Sequence, residues 1–289
     1  MRLTRINAVR CTIGEAPVWD EREQALYFLD IPCKQVLRLD PETGALQAWE
    51  SPSPPTALAL GGPGEVLLAS GDAILRLDLA SGESDVLARV YGQPANATLN
   101  DGRVDRQGRF VIGSCCTDFA APTPVGGIYS LAQGQCVRVA NDIMFSNGTC
   151  FSPDGGTLYF ADGARHAIYA FDYDTTTGQP DARNQLADTS ALGGMPDGAT
   201  VSADGRLWVA INPGGKVAAY RPDGTLDQVI DLPVGRPGSV TFGGPNLDRL
   251  FVTTLDPTCF GEAPDDMAGY LYVIDGLNTR GLPEPRYHY

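Results

Sequence analysis

Six copies of one pattern, a Gly or Asp turn followed by a short strand of β-branched and aromatic residues, recur along the 289-residue chain. The pattern is clearest in DRQGRFVIGS, SPDGGTLYFAD and SADGRLWVAI. Alignment of the six strands makes the following residues equivalent: Tyr27, Leu67, Val111, Tyr159, Trp208 and Phe251. Their successive spacings of 40, 44, 48, 49 and 43 residues match the period of a four-stranded propeller blade. The repeat therefore predicts an all-β chain folded as a six-bladed β-propeller with four-stranded antiparallel blades.

The repeats occupy the whole sequence, which favours one propeller domain over residues 1–289 rather than two unrelated domains or an open solenoid. A closed ring leaves only short strand edges exposed. We expect the N-terminal strand LTRINAVR, residues 3–10, to complete the last blade beside the C-terminal residues. A β-sandwich is the alternative architecture.

The net charge of −14 disfavours nucleic acids and anionic membranes as partners, because both require a basic surface. No stretch approaches the roughly 18 apolar residues that span a bilayer, and the N-terminus lacks the apolar core of a signal peptide. Seven cysteines without CxxC spacing are typical of reduced, mostly buried thiols. We therefore expect a cytoplasmic protein that acts on a small molecule.

Four polar residues share the same spacing to the hairpin turn that follows them in their repeat. Asn100, Asn147 and Asp197 each lie eight positions before a turn glycine, and Glu15 has the same spacing to Glu23. Because the first strand of each blade lines the channel, equivalent residues at the starts of these strands form a ring around one mouth. Four carboxylate or amide oxygens are thus predicted to converge on the axis.

The two remaining copies offer Thr56 and either Ser239 or Val240, which are weaker ligands and leave one side of the ring open. Asn-Asp-Gly and Pro-Asp-Gly are also common turn sequences, and the alternative for Glu15 is a solvated loop charge. However, the Asn and Asp copies already have a hairpin turn eight residues later, which favours the ring. Glu, Asp and Asn together are an all-oxygen ligand set that suits calcium, magnesium or manganese, with iron(II) or zinc possible when water completes the shell.

Other nucleophile arrangements find little support in the sequence. The only two histidines, His166 and His288, are more typical of surface side chains, so a Ser-His-Asp triad is hard to assemble. Adjacent Cys115 and Cys116 favour buried thiols over a redox pair, because a disulfide between neighbours closes a strained ring.

Five segments resemble, in order and spacing, the regucalcin-like gluconolactonases, or senescence marker protein and gluconolactonase family. They are IGEAPVW, LNDGRVDRQGRFVIGS, FSNGTCFSPDGGTLYFAD, MPDGATVSADGRLWVA and RPGSVTFGGPNLDRLFVTT, and the similarity extends from about residue 12 to about residue 255. The resemblance implies a six-bladed propeller that hydrolyses sugar lactones (aldonolactones) with one divalent metal ion.

The resemblance also implies roles for individual residues. The metal ligands are then Glu15, Asn147 and Asp197, while Asn100 lies beside the metal and contacts substrate or bound water. Two further positions bear on substrate binding: Thr98 stands where family members commonly carry an Arg, and Asp118 matches a family acidic residue. Loss of the planar Arg fork changes how sugar hydroxyls are bound.

The expected chemistry is attack of water on a lactone carbonyl that the metal polarises, with Asp197 as general base. Two alternatives remain at this point. One is an arylesterase or phosphotriesterase on a related calcium propeller, which the scarcity of histidine disfavours. The other is a non-catalytic calcium-binding or scaffolding propeller, because the fold alone proves no activity.

Overall fold

Six four-stranded antiparallel sheets make up the computed structural model, which describes residues 1–289. The innermost strands of neighbouring sheets contact one another all the way around, so the sheets form a closed ring about a central channel. The predicted six-bladed β-propeller is confirmed. No helix in the structure combines the length and apolar character needed to cross a membrane.

In the first three blades the strands follow one another in chain order from the innermost to the outermost. Blade 1 contains β2 (Gly14–Asp20), β3 (Ala25–Asp30), β4 (Gln35–Leu39) and β5 (Leu46–Glu50). Blade 2 contains β6 (Ala57–Leu60), β7 (Glu65–Ser70), β8 (Ala73–Asp78) and β9 (Ser84–Arg89). Blade 3 contains β10 (Ala97–Val104), β11 (Phe110–Cys116), β12 (Gly126–Ala132) and β13 (Gln135–Ile143).

The other three blades are also described from the innermost strand outward. Blade 4 contains β14 (Ser146–Phe151), β15 (Thr157–Asp162), β16 (Ala167–Asp174) and β17 (Gln179–Asp188). Blade 5 contains β18 (Met195–Val201), β19 (Leu207–Asn212), β20 (Lys216–Tyr220) and β21 (Leu226–Asp231). Blade 6 contains β22 (Pro237–Gly243), β23 (Arg249–Thr254), β24 (Leu271–Asp275) and β1 (Arg2–Ile6). Short 3₁₀ turns occur at Gly163–Arg165, Ser190–Leu192 and Pro257–Phe260.

The N-terminal strand closes the ring as predicted, because β1 pairs antiparallel with β24 as the outermost strand of blade 6. Its bounds differ from the predicted 3–10, since the strand ends at Ile6. Beyond it the chain turns toward the channel mouth. There the Cys11 N–H donates to Gly269 O at 2.7 Å, and Asp30 accepts from the N–H groups of Thr12 and Ile13.

The core is divided into six wedges, one at each contact between neighbouring blades. The residue aligned in each repeat lies in these wedges, and Trp208, which is fully buried between blades 5 and 6, is the largest. The predicted turn glycines Gly108, Gly155 and Gly205 all have positive φ, between 79° and 88°, which glycine adopts without a side-chain penalty. They fix the hairpin between the first and second strands of their blades.

The C-terminal segment, residues 276–289, crosses the end of the channel opposite the predicted ring. It bonds to several blades through the backbone: Arg280 O accepts from Ala203 N, the N–H of Gly281 and Tyr287 donate to Leu247 O and Leu60 O, and His288 N donates to Gly108 O. Glu284 approaches the channel side chain of Arg103 at 3.6 Å. Between them lies a cavity of about 20 Å³, room for about one water molecule.

Candidate active site

The observed strand pairing defines which residues occupy equivalent places in the ring. Each residue aligned between the repeats pairs with a residue on the inner strand of its blade, as Tyr27 pairs with Val18. In blades 1 to 5 the predicted ring residue lies three positions before that inner-strand partner, as Glu15 lies three positions before Val18. The same count selects four further positions: Thr56, Asn100, Asn147 and Asp197. The structure thus places all five predicted residues in one register at the starts of the inner strands.

The sixth place belongs to Gly238, so the expectation of Ser239 or Val240 is wrong. Thr241 pairs with Phe251, and a count back of three gives Gly238, while Val240 is fully buried in the wedge between blades 5 and 6. A Cβ atom at Gly238 would lie 2.3 Å from Glu15 Oε1. The absence of a side chain here leaves room for the Glu15 carboxylate.

Five of the six inner strands interrupt their pairing at the ring. The irregularities fall at Glu15/Val18, Leu99/Gly102, Asn147/Cys150, Pro196/Ala199 and Pro237/Val240, whereas β6 pairs regularly. Such bulges bend a strand and redirect its side chains, and they are common beside active sites. Ala16, the residue after Glu15, has a φ of 47°, an uncommon value for a residue with a side chain, and its N–H donates to Glu15 Oε2 at 3.1 Å.

Asp101 is a member of the site that the sequence patterns did not single out. It follows Asn100, and in a regular strand the two side chains would point to opposite faces. The bulge between Leu99 and Gly102 changes this, and Asp101 Oδ2 accepts from Thr149 N at 2.9 Å in the next blade. The acidic residue of the Asn-Asp-Gly motif was the available signal, but it is equally typical of a turn.

Three carboxylates therefore occupy the channel mouth, and each has a raised pKa. Burial inside the channel is the largest cause for Glu15, and the charges of Asp197 and Asp101 raise its pKa further. Burial and Asp101 raise the pKa of Asp197, against a hydrogen bond from Asn212. Burial also raises the pKa of Asp101, although the Arg103 guanidinium acts in the opposite direction. The site thus concentrates negative charge that the protein itself compensates only in part.

The two predicted asparagines are in direct contact. Asn100 Nδ2 donates to Asn147 Oδ1 at 3.1 Å and to Ser146 O at 2.7 Å, which joins blade 3 to blade 4. Asn147 is buried, and Asn100 is half-buried. Both amide hydrogens of Asn100 are therefore directed to blade 4, while its Oδ1 accepts no hydrogen bond from the protein.

The chemistry of these groups fits a hard divalent cation, with an amide oxygen as part of the ligand set. No three His, Cys, Asp or Glu side chains are grouped closely enough to hold a metal ion by themselves. A site here would combine carboxylate oxygens with an amide oxygen such as that of Asn147. Glu15 Oε1 accepts no hydrogen bond from the protein, although the carboxylate lies in the channel. Oxygen ligands of this kind bind calcium, magnesium and manganese.

Asn212 and Arg236 were not predicted either. Asn212 Nδ2 donates to Asp197 Oδ2 at 2.8 Å, and Arg236 Nη1 donates to Asn212 Oδ1 at 3.3 Å. Asn212 ends the second strand of blade 5, and Arg236 immediately precedes the inner strand of blade 6. Asn212 lies on a second strand, and Arg236 lies two residues before the ring position Gly238, so the strand alignment selected neither of them.

The predicted substrate contacts lie apart from this cluster. Thr98 is half-buried, with Oγ1 3.4 Å from Leu99 O and 3.5 Å from Gly71 O, beside an open cleft of about 500 Å³. Asp118 is exposed on the loop after β11, where its Oδ1 accepts from the N–H groups of Ala120 and Ala121, both at 3.1 Å. Neither side chain bonds to a ring residue.

The remaining polar candidates also lie outside the ring. His166 is half-buried, with Nδ1 3.2 Å from Gly194 O, whereas His288 is exposed on the C-terminal segment. Cys115 and Cys116 are buried, and all seven cysteines are free thiols. Four of the seven are buried, while Cys33 and Cys259 are exposed.

Comparison with known proteins agrees with this architecture. The chain is 34% identical over 281 residues to regucalcin of Xenopus laevis, with 93% of each chain covered. Regucalcin of Agrobacterium tumefaciens, described as a calcium-binding protein, superimposes with a TM-score of 0.88 at 27% identity, over 99% of this chain and 97% of that one. A gluconolactonase of Xanthomonas campestris superimposes with a TM-score of 0.74 at 26% identity, over 94% and 88%.

The family profile described as the SMP-30/Gluconolactonase/LRE-like region matches residues 13–256, a span that includes the whole ring from Glu15 to Gly238. The chain therefore belongs to the SMP-30/gluconolactonase/LRE-like family.

Proposed function

We propose that this protein is a metal-dependent sugar lactonase that hydrolyses an aldonolactone to the sugar acid. Membership of the family and similarity to the Xanthomonas gluconolactonase support hydrolysis of sugar lactones in general. The observation that carries the finer proposal is the group of Glu15, Asn147 and Asp197 in one channel mouth, where burial and neighbouring carboxylates raise the pKa of both acidic residues.

Glu15, Asn147 and Asp197 are the residues proposed to hold the metal. A divalent cation bound there would polarise a lactone carbonyl and acidify a bound water. Calcium is favoured by the description of the Agrobacterium relative, and magnesium, manganese, zinc and iron(II) remain to be compared by reconstitution. Glu15→Gln is expected to weaken metal affinity first, and titration of that variant measures it.

Asp197 is proposed as the general base. It accepts a proton from the water whose oxygen attacks the carbonyl carbon, the bond to the ring oxygen breaks, and the ring oxygen takes up a proton to give the open sugar acid. Asn212 donates to Asp197 Oδ2 and so holds the carboxylate in one orientation. Asn100 Oδ1, which has no donor in the protein, is suited to orient the water or a substrate hydroxyl.

Substrate selection is proposed to differ from that of relatives that carry an Arg at the position of Thr98. A threonine supplies one hydroxyl in place of a planar fork of donors, and the cleft beside Thr98 leaves space over blade 2. Asp118, on the exposed loop after β11, is proposed to contact sugar hydroxyls. The seven free cysteines fit a reducing compartment, and a cytoplasmic location is part of the proposal.

A substrate panel tests the proposal. Chelated protein is reloaded with one metal at a time and assayed with a pH indicator against pentonic, hexonic and 6-substituted aldonolactones and an aryl ester. We expect turnover of at least one lactone and little of the ester. Turnover of the ester alone would favour an arylesterase, and metal binding with no turnover of any substrate would favour a non-catalytic calcium-binding propeller.

A further inference from the structure

We propose that Asn212 and Arg236 form a positioning relay that fixes the orientation of the Asp197 carboxylate. The proposal rests on the function proposed for Asp197. It adds two residues from different blades to the site and assigns them a role that depends on which oxygen of Asp197 is held.

The hydrogen-bond donors of Arg236 and Asn212 allow the Asn212 amide only one orientation in this relay. An arginine side chain donates hydrogen bonds and accepts none, so the group facing Arg236 Nη1 must be the oxygen of the Asn212 amide. The Asn212 NH₂ group is then turned toward Asp197 Oδ2, at 2.8 Å. Asn212 is only 7% exposed, so water does not compete readily for either end of the amide.

Arg236 is itself fixed from the opposite side. Its Nε donates to Glu262 Oε2 at 3.0 Å, its Nη2 donates to Glu262 Oε1, and the guanidinium lies 4.0 Å from the centre of the Phe260 ring. The Arg236 side chain is 13% exposed. Glu262 and Phe260 belong to the long loop between β23 and β24, so this loop holds the arginine that orients Asn212.

The relay gives the two oxygens of Asp197 different roles. Oδ2 is engaged by Asn212, which leaves Oδ1 as the oxygen for a bound cation or for the proton of the attacking water. Residues behind a metal ligand orient it in this way, and their loss typically lowers metal affinity or activity by about 10- to 100-fold. Without Arg236 the oxygen of the Asn212 amide loses its donor, and the amide is held only through its bond to Asp197 Oδ2.

The test measures calcium affinity by titration calorimetry, together with kcat and KM for a lactone that the wild type hydrolyses. Asn212→Ala and Arg236→Met are each expected to weaken calcium binding about tenfold. They should lower kcat while KM changes less than about threefold. Arg236→Lys, which keeps a donor toward Asn212, is expected to retain most of the affinity. Asn184→Ala, at an exposed position, and Arg76→Met, whose side chain is 40% exposed, lie far from the ring and are the matched controls, which should match the wild type.

A charge exchange separates positioning from simple stabilisation of the loop. The double variant Arg236→Glu with Glu262→Arg restores the ion pair and the melting temperature, but a glutamate at position 236 accepts a hydrogen bond and so reverses the Asn212 amide. The relay predicts that affinity and kcat stay low in the double variant. Recovery of both, or an unchanged affinity in Asn212→Ala, would overturn it. A wild type that binds calcium but hydrolyses no lactone would refute the lactonase proposal instead, and the calcium affinities of the variants would still decide the relay.

Discussion

Glu15, Asp101 and Asp197 share one channel mouth, and burial raises the pKa of each above that of the unfolded chain, while neighbouring carboxylates raise the pKa of Glu15 and Asp197 further. A raised pKa means that the folded protein binds a proton more tightly than the unfolded chain does. The resulting stabilisation is complete below the ordinary carboxylate range and is lost as the pH rises through the folded-state pKa values. In the absence of a cation, these side chains therefore oppose folding at neutral pH.

Removal of one of these charges should stabilise the metal-free protein. In the presence of a chelator at pH 8, Asp197→Asn is expected to raise the melting temperature by about 2–4 °C, because one charge is removed from a channel mouth that holds two other carboxylates. Near pH 4 the gain should shrink, since the wild-type carboxylate is then protonated in the folded state. Thermal unfolding at both pH values measures this, with Asp231→Asn, whose side chain is 84% exposed, as the control. A lower melting temperature for Asp197→Asn at pH 8 would contradict the interpretation.

Gly238 allows a second single-residue test, which concerns the space around the Glu15 carboxylate. In Gly238→Ala the new methyl group would lie 2.3 Å from Glu15 Oε1 and 2.6 Å from Leu255 Cδ1, so the Glu15 carboxylate must move. Calcium affinity measured by calorimetry is expected to fall by about tenfold or more, because the displaced group is a proposed ligand. Gly235→Ala is the matched control, since a methyl group there meets no atom within 4 Å. Equal affinities in the two variants would show that Glu15 needs no such space.

Five of the six ring positions could be predicted from the sequence, because the spacing to the turn is local and repeats in blades 1 to 5. Asp101 escaped this reasoning because a bulge, which no spacing reveals, gives it access to the site beside Asn100. Gly238 was misplaced by one residue because the longer Gly-Gly-Pro-Asn-Leu-Asp turn obscured the count. Asn212 was missed because it ends a second strand, outside the ring positions on the inner strands.

Among the elements, the strands were the most predictable and the long connections the least. The pattern of turn, strand and second strand recurs with a regular period, whereas the loop between β23 and β24 matches nothing in the other blades. The N-terminal strand illustrates the intermediate case. Its pairing with β24 was predicted from ring closure, but its end at Ile6 was not, and Arg10 and Thr12 beyond it bond to Ala268 O and Asp30 instead of extending the strand.

The C-terminal segment makes a stability prediction of its own. Tyr287 is buried in the wedge between blades 2 and 3, and its N–H donates to Leu60 O at 2.8 Å. Tyr287→Ala is expected to lower the free energy of unfolding by about 3 kcal/mol, because it leaves a large cavity between the blades. Urea denaturation measures the loss.

Tyr289 serves as the control for this prediction, because its ring is 51% exposed on the same segment. Tyr289→Ala should cost less than about 1 kcal/mol. Calcium affinity should be unchanged in Tyr287→Ala, since the segment lies at the opposite end of the channel from the ring. An equal loss of unfolding free energy in Tyr287→Ala and Tyr289→Ala would contradict the prediction that the buried Tyr287 side chain contributes more to stability.

At the scale of the whole molecule, the six wedges and the ring closure by β1 make the propeller a rigid frame around one polar channel. The C-terminal segment covers the far end, where Glu284 faces Arg103, while the ring lies at the mouth formed by the loops that precede the inner strands. Substrate and product are therefore expected to use the same mouth. Six blades each contribute one position to the ring, which explains how residues far apart in sequence lie around one channel mouth.

The central claim is that this ring hydrolyses a lactone with a bound metal and with Asp197 as the base. The most direct measurement is the rate of aldonolactone hydrolysis for wild type and Asp197→Ala, each as chelated protein and after metal reloading. We expect chelation to abolish wild-type turnover, reloading to restore it, and Asp197→Ala to remain at least about 100-fold slower while its far-ultraviolet circular dichroism matches the wild type. Near-wild-type turnover by metal-loaded Asp197→Ala would contradict the account.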